Sequence, residues 1–147
     1  MPTIIPGYLY SILAALIVGS IIIYSCSVAS MNIKNQAAVQ ELTNIDEYVA
    51  AQSLNLLSHS TSDSQNKTQF LDIPSQIGNQ PFWISITNDS LGAWVESGFG
   101  TTVSSHGNKI DIPADVAASG AFMSGSGRAI LQYRFENQTA TLTLTSE

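Results

Sequence analysis

Between Tyr8 and Ile33 the chain has no charged side chain, and Lys34 is the first in the sequence. A helix needs roughly 20 apolar residues to cross a bilayer core of about 30 Å, whereas the apolar run of a signal peptide is about 7 to 15 residues. The stretch YLYSILAALIVGSIIIYSCSVASMNI belongs to the longer class. No Lys or Arg precedes it, so the basic flank typical of a cleaved signal is missing and a retained membrane helix is expected.

Basic residues are scarce throughout, five Lys and Arg against eleven Asp and Glu. After the helix region they are Lys67, Lys109, Arg128 and Arg134, dispersed rather than clustered, which excludes nucleic acid as a partner because phosphate binding needs a concentrated basic face. Cys26 is the only cysteine, so no intrachain disulfide forms and stability has to come from packing. A lipoprotein-type cut before Cys26 would put the bulky Tyr24 where a small residue belongs. The only histidines, His59 and His106, stand far apart without metal-ligand spacing. No G-x-S-x-G occurs, and the Gly-rich SGSGRA lacks a P-loop lysine, so its glycines are read as a bend between strands. Asp72, Asp111 and Asp115 lie beside Pro74 and Pro113 and read as turn formers. No catalytic residue, metal or cofactor is expected.

Gly and Pro are also absent from residue 20 to residue 73. One helix from Tyr8 to about His59 is therefore expected, about 78 Å at 1.5 Å per residue. Its first half carries small residues at four-residue steps, Ser11, Ala15 and Gly19, with Ser25 and Ala29 repeating the step. Such spacing lets helix backbones approach closely in lipid. Its second half places Ala38, Leu42, Ile45, Val49 and Leu56 on one apolar seam, opposite Gln36, Gln40 and Glu47. Both sets are candidate helix-packing residues.

Residues 58 to 68, SHSTSDSQNKT, have no apolar member and read as a hinge. The expected division is a helix and stalk over 1–59, a hinge over 60–68 and a β domain over 69–147. In that domain PFWISITN and LGAWVES form a hairpin through Asn88-Asp89-Ser90, and RAILQYRF pairs with TATLTLT through Glu136-Asn137-Gln138. TTVSS and KIDIP suggest a further strand pair, and ASGAFMSGSG a short strand. The fold class is thus α+β, a long N-terminal helix followed by a small antiparallel sheet or sandwich. Trp83, Trp94 and Phe99 are assigned to its core.

Three N-x-[ST] sequons, at Asn66, Asn88 and Asn137, fall at the hinge or at turns, where a glycan fits. With the acidic, hydroxyl-rich composition of residues 60–147 they place the β domain outside the membrane, although Lys34 alone would weakly favour the reverse.

An uncharged N-terminal helix continued by an amphipathic extension, a polar hinge and a sequon-bearing β domain resembles the type IV pilin superfamily, particularly archaeal pilins and archaellins. The resemblance is one of layout over the whole chain. Ile12 stands where bacterial members carry a glutamate, and no basic residue stands before Gly7 and Tyr8. It implies a structural protein of the cell surface, whose membrane-held precursor assembles with copies of itself through the N-terminal helix, with the β domains forming the outer surface. The competing expectation is a single-pass anchor whose β domain binds an S-layer, envelope or membrane-complex partner.

Overall fold

In a computed structural model, residues 4–58, 66–104, 107–113, 116–136 and 139–147 are described. The α+β class is as expected: among the described residues one helix, α1 (Ile4–Ser58), precedes a single seven-stranded sheet. The helix begins at Ile4 rather than Tyr8. Pro6 lies in the first turn, where a missing N–H costs nothing because the first four amides have no intrahelical acceptor. His59 lies outside the described residues.

The chain divides into two compact units, Met1–Ala37 and Ala38–Glu147. The boundary expected between residues 59 and 60 is therefore misplaced by about 20 residues. The second half of α1 is part of the sheet domain because its apolar seam packs on the sheet of its own chain. The hinge expected over 60–68 also ends early, since β1 (Lys67–Leu71) already includes Lys67 and Thr68. Residues 60–65 lie outside the described residues.

The remaining strands are β2 (Phe82–Asn88), β3 (Ala93–Phe99), β4 (Asn108–Ile112), β5 (Ala117–Met123), β6 (Ala129–Glu136) and β7 (Thr139–Ser146). They lie in the order β1-β6-β7-β5-β2-β3-β4. The two expected hairpins form: Phe82 opposes Phe99 in one, and Ala129 opposes Ser146 in the other. TTVSS does not form a strand over its described residues, 101–104; β4 instead pairs with β3. One pair, β5 with β7, is parallel, so the sheet is not purely antiparallel.

The two hairpins are joined through β5, which changes partner along its length. Ala117 to Gly120 pair with β7, and Ala121 to Met123 pair with β2. Gly120 marks the change with φ 118°, a conformation L side chains rarely adopt, and a Cβ there would run into the Leu144 carbonyl oxygen. Gly98 makes room in a different way: the Trp83 ring lies against it, and an added Cβ would stand 2.8 Å from Trp83 Cζ2.

The core lies between the inner face of the sheet and residues 38–58 of α1. Leu42, Ile45, Val49, Ala50 and Leu56 meet Phe82, Ile84, Val95, Phe122, Leu131, Leu142 and Leu144. The sheet curls around this helix segment. Gln52 accepts from Gln69 on β1 at 2.6 Å, while Asp46 accepts from Ser97 on β3 at 2.5 Å. Five strand spacings, about 24 Å in a flat sheet, separate strands that meet helix positions only about 9 Å apart along the axis.

Candidate functional site

Two surfaces and one buried cluster stand out. The first is the helix of the N-terminal unit. From Tyr8 to Ile33 its large apolar side chains are exposed on every side, among them Leu9, Leu13, Ile17, Ile21, Tyr24, Val28 and Met31. Its most apolar 18-residue window has a mean hydropathy of 2.3, so it is long and apolar enough to cross a membrane. Ser11 and Ser20 donate to the carbonyls of Gly7 and Ile17, so their hydroxyls ask nothing of a surrounding apolar phase. Ser11 and Ala15 are exposed, and a Cβ added at Gly19 would meet nothing within 4 Å.

The structure separates the two halves of the candidate packing set. Ala38 is half-buried, and Leu42, Ile45, Val49 and Leu56 are buried, all against the chain's own sheet. They are not free to pack against another helix as the sequence reading expected. A three-four seam identifies a covered helix face without saying what covers it.

Of the sequon asparagines, Asn66 and Asn88 are exposed, and Asn137 lies outside the described residues. Asn88 Oδ1 accepts from the Ala118 amide at 3.1 Å, an interaction that leaves its Nδ2 free of that bond. Trp83 is 1% exposed but lies on the strand face opposite Phe82, Ile84 and Ile86, outside the cluster that packs on the helix, and Phe99 packs against that cluster from its edge. Trp94 departs from the core expectation: it is half-buried on the outer face of the sheet. Its ring lies under the Lys109 ammonium at 4.7 Å, and its Nε1 is buried without an acceptor.

Trp94 and Lys109 belong to the second surface, a groove of about 880 Å³ at the end of β4 and the β2–β3 turn, lined also by Asp89, Leu91, Asp111 and Pro113. Two of its charged side chains, Asp89 and Lys109, make contacts within the chain. Asp89 Oδ1 accepts from the Leu91 and Gly92 amides at 2.7 and 3.3 Å, and Lys109 covers the one aromatic ring. Among the described residues no group of three or more His, Cys, Asp or Glu is placed to hold a metal.

The buried cluster was not anticipated. Asp46 is 0% exposed and projects from α1 into the helix–sheet core. Oδ2 accepts from the Ser97 hydroxyl at 2.5 Å, and Oδ1 has no hydrogen-bond partner. Burial pushes its pKa up to about 6, against the opposing pull of hydrogen bonding to Ser97 and Asn108. Asn108 is the cross-strand neighbour of Ser97, so one carboxyl faces both β3 and the edge strand β4. The sequence did carry a signal. Asp46 follows Leu42 by four residues and precedes Val49 by three, which puts a carboxylate inside the apolar stripe.

No family model, curated protein or solved structure matches the chain.

Proposed function

We propose that this chain is a structural subunit of an extracellular, type IV pilus-like filament, assembled through the N-terminal part of α1. The observation that carries the reading is the all-round apolar exposure of residues 8–33 within a helix that continues into the core of a folded domain. A helix apolar on every side needs an apolar environment on every side, which lipid supplies before assembly and neighbouring helices supply afterwards. The second half of α1 needs no partner copy, because the chain's own sheet covers it. Self-contact therefore falls to residues 8–33, with Ser11, Ala15 and Gly19 as the line of closest approach.

In this reading the β domain lies outside the membrane, and the exposed Asn66 and Asn88 accept N-linked glycans there. The protein is not an enzyme, and no nucleic acid takes part. The test is removal of detergent from the purified full-length chain, followed by sedimentation and electron microscopy. Filaments that pellet without lipid support the proposal. A chain that returns to vesicles as a single-pass monomer overturns it in favour of an anchored protein whose β domain binds an S-layer or envelope partner.

A further inference from the structure

Trp94 stands on the face of the sheet turned away from the helix, and its Nε1 is buried without an acceptor among the described residues. An indole N–H in that state is an unmet donor, and a ligand oxygen brought to it recovers the lost hydrogen bond. We propose that the groove around Trp94 binds a neutral saccharide from outside the chain. The indole is the stacking surface, Asp89 and Asp111 accept from sugar hydroxyls, and Lys109 is a movable cover of the ring. This does not rest on the filament reading, because every residue named lies within the unit Ala38–Glu147.

The groove offers these groups from two elements. Asp111 is the cross-strand neighbour of Trp94, and Lys109 stands two residues earlier on the same face of β4; both are exposed. Asp89 comes from the β2–β3 turn. Its Oδ1 is held by the Leu91 and Gly92 amides at 2.7 and 3.3 Å, which fixes the plane of the carboxylate and makes it a preorganised acceptor. Leu91, 94% exposed, and Pro113 add apolar surface. A volume of about 880 Å³ is within the range of small-ligand sites.

The chemistry selects the class of ligand. A sugar ring has an apolar C–H face bordered by hydroxyls, so the face covers an indole while the hydroxyls donate to carboxylates and accept from an ammonium. Two carboxylates against one ammonium disfavour an anion such as phosphate or a uronic acid. A cationic ligand would share the groove with Lys109, a like charge that already occupies the ring at 4.7 Å. A neutral saccharide meets neither penalty, and it displaces only one exposed cation–π contact. The chain's own sequons point elsewhere. Asn88 Oδ1 is held by the Ala118 amide of β5, which lies on the opposite side of β2 from β3, and Asn66 precedes β1 at the far edge of the sheet from β4.

The test uses the full-length chain made without N-glycans, in a polyoxyethylene detergent that has no sugar head group. The Trp94 indole N–H resonance is followed as cellobiose, maltose or N,N′-diacetylchitobiose is added to about 10 mM, with the buried Trp83 as internal reference. A saturable shift of Trp94 alone is expected with at least one of the three, at a dissociation constant on the order of 1 mM. Asp111→Asn should weaken that binding by about 5-fold, and Trp94→Ala should abolish saturation transfer to the sugar. Asp111 is exposed, so its variant carries the test should Trp94→Ala fail to fold. Tetramethylammonium and glucuronate are added in parallel. No shift with any disaccharide, a shift with either ion in place of the disaccharides, or unchanged affinity in Asp111→Asn overturns the saccharide site.

Discussion

At the scale of single residues, Gly120 controls how the two hairpins become one sheet. The strand that carries it leaves β7 and joins β2 at a φ only glycine adopts cheaply, against a backbone oxygen that cannot move aside. Gly120→Ala combines a left-handed conformation with a collision, so a loss of more than about 1 kcal/mol is expected. Its urea midpoint, followed by the fluorescence of the buried Trp83, measures this; a midpoint at or above the wild-type value would show that the junction accepts a side chain. Asp46 has the opposite character, since removing its charge should help at neutral pH. Asp46→Asn is expected to raise the urea midpoint above that of the wild type at about pH 7.5 and to lose the advantage at about pH 4.5. A midpoint lowered equally at both values would mean that Asn cannot replace the hydrogen bond to Ser97.

The element that deserves its own test is the second half of α1, which belongs to the sheet domain by packing and to the apolar helix by sequence continuity. A chain beginning at Ala38 should fold, and one beginning at Ser60 should not, because the latter leaves the inner face of the sheet uncovered. Circular dichroism and chemical-shift dispersion of the two fragments distinguish these outcomes. Leu42→Ala should likewise cost the monomeric domain about 2–5 kcal/mol with no second copy present. A change that appears only on assembly would return Leu42 to an intermolecular seam. The strand periods were legible here: alternation in PFWISITN and TATLTLT gave the two hairpins directly, because each strand has one core-facing side. β1 was not legible, since KTQFL continues a polar run and becomes a strand only by adding to the edge of β6. The parallel β5–β7 pair was hidden for a related reason. Strand partners distant in sequence leave no local pattern, and only the glycine at the partner change hints at it. Asp46 was legible in principle as a charge in an apolar stripe, but nothing in the sequence says that Ser97 and Asn108 would meet it.

For the whole molecule, the central claim is that residues 8–33 find their apolar surroundings in copies of themselves. Gly19→Leu addresses this directly. A Cβ at Gly19 meets nothing in its own chain, and leucine is the better helix former, so the variant's own fold should be undisturbed. At a close helix–helix contact the added side chain forces the backbones apart, whereas toward lipid it is favourable. The decisive measurement is the yield of sedimentable filaments from wild type and Gly19→Leu after detergent removal at equal protein concentration, with the β domain of each checked for native dispersion. A folded variant that no longer pellets is the expected result; equal yields from both proteins would contradict assembly through this helix.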